Sequence, residues 1–345
     1  MYSPIHFALI GCGNIATEHA TQITRVGKLV AVVDTNLHRA KILGDQYGVP
    51  FFETASALYA AVQQLDIVVI ATPNGLHAAQ AIEAMQAGYH VLVEKPIALL
   101  GADILQMQTV SKQTGKQIFS VMQNRFNPPV KLIHELLKQQ VLGTIHHVQV
   151  NCFWHRSASY YINSWHGTMA LDGGTLFTQF SHFIDLLCWF FGKVKTAEAA
   201  FKNTDHQGLI EFEDQGSIQL KFESGIKASM DYSVNEPIAN KEGSITILSS
   251  KGMIKAGGSY LNTFEYEVND TALSAELQKQ KAALPNTVGM PNDYGHYKGS
   301  MRNHHQVYDS LQTALLYQTP YYTTVEEAKN TIELINLIYQ ARKLN

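Results

Sequence analysis

Glu94-Lys95-Pro96 follows the apolar run Val91-Leu92-Val93, which reads as a buried strand about sixty residues after another strand ending in Asp34. In an open parallel sheet, ligands lie at the carboxyl ends of the strands, so a lysine there faces a cofactor crevice. Lys95 is therefore a candidate for chemistry, with Glu94 beside it at the crevice. Gly11-Cys12-Gly13-Asn14-Ile15-Ala16 follows the first strand and opens a helix, the G-x-G-x-x-A form of the dinucleotide fingerprint. Gly11 permits the tight turn, Gly13 lets the backbone approach a pyrophosphate, and Ala16 allows close helix packing while the helix N-terminus favours negative charge. Asp34 ends the second strand, where its carboxylate accepts from ribose hydroxyls and repels a 2′-phosphate, which favours NAD over NADP. The alternative for Asp34 is a cap on the helix near Leu37, and the nearby Arg39 leaves room for NADP.

Thr72-Pro73-Asn74 closes another strand and is expected to line the crevice near the nicotinamide half. His77 begins the next helix, either as part of that cofactor site or as an ordinary helix residue. Further along, Gly173-Gly174 opens one expected helix, Thr175 to Phe191, on which Thr178, His182 and Asp185 fall at i, i+4 and i+7. A polar stripe on an apolar helix needs hydrogen-bond partners, from a structural network or from a polar substrate. The fifteen histidines include no HExxH, and the adjacent pairs His146-His147 and His304-His305 diverge on any regular element, so no metal is expected.

The elements that must hold these groups follow from the pattern. Short apolar runs, Ile5 to Ile10, Leu29 to Asp34, Asp66 to Ala71, His90 to Val93 and Ile118 to Met122, alternate with helical stretches, which implies right-handed crossovers and a parallel sheet. After Asn127-Pro128-Pro129 and a helix at Val130 to Gln140 the texture becomes that of an antiparallel meander: His147 to Trp154, Gly208 to Phe212, Ser217 to Phe222, Ile226 to Val234 and Ser244 to Leu248. The region Thr271 to Asp293 reads as a loop or lid, Asn303 to Tyr317 as a helix, and Thr324 with Glu327 as the capping box of an amphipathic C-terminal helix. The expected architecture is α/β plus α+β: an N-terminal Rossmann dinucleotide-binding domain over 1–123, an open, mainly antiparallel sheet with helices on one face over 124–322, and a helix over 323–345 packing back on the Rossmann domain.

With 345 residues, 46% apolar and 16% charged, and a formal charge of -3, the chain has a soluble composition and no basic footprint for nucleic acid or an anionic membrane. Three widely spaced cysteines build neither a disulfide framework nor a zinc site, which fits a reducing, cytoplasmic setting. Small molecules are the expected partners. A sheet with a free face is expected to pair with further copies, as a homodimer or homotetramer.

The glycine loop, Glu94-Lys95-Pro96, and Gly173-Gly174 leading to His182 and Asp185 together resemble the Gfo/Idh/MocA family of sugar and polyol oxidoreductases, over essentially the whole chain. Within it, Gln123 to Pro128, Trp165 to Thr168 and Tyr294 to His304 look closest to UDP-N-acetylglucosamine or UDP-N-acetylglucosaminuronate 3-dehydrogenases. The resemblance implies NAD as cofactor, a sugar or sugar-nucleotide substrate, and hydride transfer from a secondary alcohol. Arg125, Arg156, Tyr161, Trp165, Gln179, Ser300 and Asn303 become substrate-binding candidates, with Arg302 as a further arginine. One position departs: Thr178 stands where the family commonly has Asp or Asn, and a hydroxyl cannot serve as a carboxylate base. More of the proton chemistry then rests on Lys95 and His182, which are expected to converge on one alcohol. The alternatives are a free-sugar or inositol-type dehydrogenase and a non-catalytic NAD and sugar sensor.

Overall fold

A computed structural model describes residues 3–285, 291–293, 295 and 298–342. The chain divides into two compact units, Met1–Met122 with His304–Ile332, and Gln123–Asn303 with Glu333–Asn345.

The first unit alternates β1 (His6–Ile10), α1 (Ala16–Val26), β2 (Lys28–Val33), α2 (Leu37–Tyr47), β3 (Phe51–Phe52), α3 (Ala55–Ala61), β4 (Ile67–Ile70), α4 (His77–Gln86), β5 (His90–Val93), α5 (Gly101–Thr114) and β6 (Ile118–Ser120). The strands form one parallel sheet in the order β3-β2-β1-β4-β5-β6. Strand β4 is buried at every residue and β5 at all but its first, as a sheet covered on both faces requires. The pattern predicts five of these strands and misses β3, whose two residues are too short to show a period.

In the second unit α6 (Pro128–Lys138), β7 (Ile145–Phe153), α7 (Ala158–Tyr161), α8 (Thr175–Thr178) and α9 (Ser181–Phe191) precede β8 (Val194–Lys202), β9 (Gln215–Phe222), β10 (Lys227–Ser233), β11 (Glu242–Ser249), β12 (Gly252–Gly257), β13 (Thr263–Val268) and α10 (Thr271–Ala283). The sheet order is β13-β12-β11-β7-β10-β9-β8. It is not a simple meander, because β7 sits between β10 and β11 and pairs parallel with β10. A short hairpin of β14 (Pro291–Asp293) and β15 (Lys298–Met301) follows. The chain ends in α11 (His304–Tyr317), in the first unit, and α12 (Val325–Gln340), which the two units share.

Several expectations are corrected. Gly208 to Phe212 is not a strand: the segment turns back, with Leu209 N–H donating to the His206 carbonyl and Ile210 buried beside Tyr160 and Tyr161. The supposed loop from Thr271 is a helix to Ala283, capped by Asp270, whose side chain accepts the Leu273 N–H at 3.0 Å. Of the remaining lid region and the Tyr294 to His304 segment, residues 286–290, 294 and 296–297 lie outside the described residues. The helix expected over Thr175 to Phe191 breaks at Gln179 and Phe180 into α8 and α9. Helix α11 belongs with the first unit and not with the 124–322 block, because His304 and Tyr308 pack on His19. The C-terminal helix carries the expected capping box, Thr324 N–H to Glu327 at 2.7 Å and Glu327 N–H to Thr324 at 3.1 Å. Its later part belongs to the second unit, where Tyr339 packs against Phe177 and Phe201.

Candidate functional site

In the first unit the expected residues gather at the carboxyl ends of β1, β2, β4 and β5. Gly11 has φ +98°, and a Cβ there would lie 2.5 Å from the Ala71 carbonyl oxygen, so glycine is dictated both by backbone geometry and by the approach to the end of β4. At Gly13 a Cβ would meet nothing within 4 Å. The protein's own packing therefore does not demand that glycine, and a ligand pressed against the loop would. Ile15 stands at the N-cap of α1 and offers no side-chain acceptor, so the first N–H groups of the helix are not capped by it. Asn14 is exposed beside it.

The Asp34 carboxylate accepts the Cys12 N–H at 2.8 Å and the Asn36 N–H at 2.8 Å. Each oxygen retains acceptor capacity. The helix-cap alternative for Asp34 fails, since Asn36 is the cap of α2 and accepts from His38 and Arg39 N–H. Burial and the neighbouring Asp34 push the Cys12 thiol up to about 12, which keeps it protonated at neutral pH.

Thr72 donates its hydroxyl to Gln80 at 2.6 Å, and Pro73 leads into one turn of 3-10 helix that buries Asn74. His77 is buried and lies between two backbone carbonyls, Nδ1 at 2.7 Å from Pro96 O and Nε2 at 2.8 Å from Thr72 O. Lys95 is half-buried at the end of β5, and its peptide bond to Pro96 is cis. Glu94, expected beside the cofactor, turns inward: its carboxylate meets His19 Nε2 at 3.0 Å, His304 Nε2 at 3.2 Å and the Lys95 N–H at 3.0 Å. His19, Glu94 and His304 offer ligand atoms within 4.8 Å of one another, yet both histidine nitrogens that face the carboxylate stand at hydrogen-bond distance from it, which accounts for the cluster without an ion.

In the second unit the break between α8 and α9 separates the polar stripe into different networks. Thr178 donates to the Asp172 side chain, whose other oxygen accepts the Gly167 N–H at 2.7 Å. Asp185 takes a two-point bond from Arg125, at 2.9 and 2.7 Å, and both side chains are almost fully buried. His182 is buried on α9. Arg156 is likewise enclosed, donating to Gln179 at 2.8 Å and to the His155 carbonyl at 2.6 Å, with Trp154 and Tyr160 against its plane. Gln179 in turn donates to Tyr160 at 2.9 Å. The forks of Arg125 and Arg156 are thus engaged inside the unit, whereas Arg302 is exposed.

Trp165 stacks on His166 at 3.9 Å, and buried Tyr161 packs edge-on against Tyr160 and His206. Ser300 accepts from Gln123 at 2.9 Å, and Asn303 donates to Asn127 at 2.6 Å.

Sequence reasoning missed four groups that organise these networks: buried His19 and Tyr308 in the first unit, and buried Glu213 with half-buried Tyr339 in the second. Glu213 accepts from Tyr232 at 2.9 Å and Tyr339 at 2.8 Å, and Tyr339 also accepts the Leu176 N–H at 3.2 Å. At Gly174, φ +132°, any Cβ would strike the Tyr339 hydroxyl, so this glycine admits that tyrosine to the start of α8. Glu213 stands in the acidic run Glu211-Phe212-Glu213-Asp214, which gives no sign that one of its carboxyls is buried. Nothing local marks the other three either. Among the described residues, no helix is long and apolar enough to cross a membrane.

Residues 5–122 match the family described as oxidoreductase, NAD-binding Rossmann fold, and residues 130–255 match the GFO/IDH/MocA C-terminal domain. The WlbA dehydrogenase of Bordetella pertussis, solved with NADH and UDP-GlcNAcA, is 31% identical, with 98% of this chain and 95% of that one covered and a TM-score of 0.87. The WlbA dehydrogenase of Chromobacterium violaceum, solved with the same two ligands, is 30% identical over 99% of this chain and 96% of that one, with a TM-score of 0.85. D-apiose dehydrogenase of Paraburkholderia graminis is 24% identical over 351 residues, 97% of this chain and 91% of the relative. A dinucleotide loop on a parallel sheet, a lysine at the end of β5, and likeness along the full length give one conclusion: the chain belongs to the Gfo/Idh/MocA family of NAD(P)-dependent oxidoreductases.

Proposed function

We propose that this chain oxidises a secondary alcohol, at C3, of a sugar nucleotide such as UDP-N-acetylglucosamine or its uronate, with NAD as hydride acceptor. The observation that carries the reading is the full-length likeness, at 30–31% identity, to two dehydrogenases solved with NADH and UDP-GlcNAcA. Asp34 supports NAD over NADP, since its remaining acceptor sites suit ribose hydroxyls and its charge opposes a 2′-phosphate. The backbone from Gly11 through Ala16 would hold the diphosphate, and Thr72, Pro73 and Asn74 the nicotinamide half. The cofactor, when bound, supplies the hydride acceptor.

The protein's own task is to orient the carbinol and take its proton. His182 supplies the imidazole that takes the proton, and Lys95 stabilises the developing alkoxide. Thr178 gives its proton to Asp172, and its hydroxyl oxygen is proposed to accept from a substrate hydroxyl or amide. With Arg125 and Arg156 engaged, Arg302 takes the role of meeting the substrate's anionic groups. The three cysteines lie far apart in the sequence, which suits a reducing, cytoplasmic setting, and a homodimer or homotetramer is the proposed assembly.

The second reading, a free-sugar dehydrogenase, draws on the likeness to D-apiose dehydrogenase. Purified protein mixed with NAD and a panel of UDP-sugars and free sugars, under single-turnover conditions, is expected to develop reduced-nicotinamide absorbance with the UDP-sugars. Absorbance with free sugars alone would replace the first reading by the second.

A further inference from the structure

Both chain neighbours of Lys95 are gripped by buried histidines. On the N-terminal side, the Glu94 carboxylate can only accept, so His19 and His304 each donate an Nε2–H to it, at 3.0 and 3.2 Å. That choice leaves His19 Nδ1 as an acceptor, and the Tyr308 hydroxyl stands 2.9 Å from it. The other carboxylate oxygen takes the Lys95 N–H at 3.0 Å, so the chain of bonds ends on the lysine's own backbone. On the C-terminal side, His77 faces the Pro96 and Thr72 carbonyls at 2.7 and 2.8 Å. Carbonyls only accept, so the ring donates to them; burial is the largest influence and draws its pKa down, Lys95 adds to that lowering, and the two carbonyls and Glu94 oppose it.

These rings come from three elements, α1, α4 and α11, and all belong to the first unit. Packing alone would be served by apolar side chains, and burying three imidazoles costs free energy that the bonds to Glu94, Pro96 and Thr72 offset, while His304 Nδ1 is buried with no such bond among the described residues. We propose that His19, His77 and His304 are positioning residues for Lys95: by fixing Glu94 on one side and Pro96 on the other, they hold the lysine's backbone in a single orientation at the end of β5. The proposal rests on Lys95 acting in the reaction, and orientation of this kind bears on turnover more than on cofactor affinity.

The test uses the full chain as Glu94→Gln, His304→Ala, His304→Gln and Lys95→Ala, each checked for folding by circular dichroism. Two quantities are read: the rate at which Lys95 is methylated by formaldehyde and cyanoborohydride, followed by peptide mass, and kcat and KM with NAD and UDP-GlcNAcA. Glu94→Gln and His304→Ala are expected to methylate Lys95 about threefold faster or more. They are also expected to lower kcat about tenfold, with the KM for NAD held within about threefold. His304→Gln, whose amide N–H can replace the imidazole Nε2–H, is expected to recover most of both losses.

Folded Glu94→Gln and His304→Ala proteins with unchanged Lys95 methylation would overturn the proposal. If Glu94→Gln does not fold, the two His304 variants decide alone. Full turnover in Lys95→Ala would remove the catalytic reading of Lys95 instead, and the methylation rates would still decide the positioning.

Discussion

Glu94 in the first unit and Glu213 in the second are both buried, both within their unit's hydrogen-bond network, and driven in opposite directions. Burial by itself raises a carboxyl pKa. At Glu94 that effect is overcome by hydrogen bonds from His19 and His304 and by the positive charge those rings can carry, and the carboxyl is held well below its usual range. At Glu213 burial prevails: hydrogen bonds from Tyr339, its own backbone and Tyr232 lower the pKa only partly, Asp172 adds negative potential, and the group is pushed up to about 7. The two sites have similar numbers of donors. What separates them is the charge available on the donors, since an imidazole can become a cation and a phenol can only lose charge neutrality in the wrong direction. Glu94 is therefore a fixed anion next to Lys95, and Glu213 is a carboxyl that titrates near neutrality beneath α8.

The largest effect that would sharpen this contrast is Glu94→Gln, which removes the charge that three N–H groups address. It is expected to destabilise the protein by about 3 kcal/mol at pH 7, by analogy with breaking a buried charged pair. Its folded pKa is depressed, so the stability it contributes is present above the unfolded pKa and is lost as pH falls through the folded value. Urea titrations should therefore show the wild type approaching the variant in strong acid. A loss below about 1 kcal/mol at pH 7 would break the contrast, because hydrogen bonds to an ion are worth more than that.

Glu213→Gln should behave in the opposite sense. Its folded pKa is raised, so its contribution is present in full below the unfolded pKa of about 4.5 and is lost as pH rises through about 7. Relative to the Gln variant, the wild type is expected to lose about 2–3 kcal/mol between pH 5 and pH 8. A difference between the two proteins that stays flat across that window would mean Glu213 does not titrate there.

The smallest expected effect is Tyr339→Phe, which removes one donor to Glu213 and the acceptor for Leu176 N–H. It should cost about 1–2 kcal/mol and move the Glu213 titration upward, read as a later loss of stability with rising pH. A downward movement would show that the phenol acts on Glu213 through something other than its hydrogen bond.

Much of the architecture was legible because strands and helices of this type are local. The parallel strands were readable from buried runs, the glycine loop from its spacing, and the capping box from Thr324 and Glu327. The polar helix α10 was read as a loop because only Leu273 and Leu277 are buried along it, too few to show a helical period. The break between α8 and α9 was invisible because every residue there suits a helix. Its consequence is that Thr178 lies on a different helix from His182 and Asp185, with Thr178 bonded to Asp172 and Asp185 to Arg125.

The sequence by itself determined where the buried parallel strands, a dinucleotide loop and a strand-end lysine stand, since periodicity and motif spacing are properties of neighbouring residues. Only the tertiary structure decided the partner of each buried polar group. Glu94 meets His304 across 210 positions, Glu213 meets Tyr339 across 126, and Arg125 meets Asp185 across 60. The physical reason is that a pattern of buried positions states that a charge must be paired, while the identity of the pair depends on how distant elements pack, and with it the direction in which each carboxyl's pKa moves.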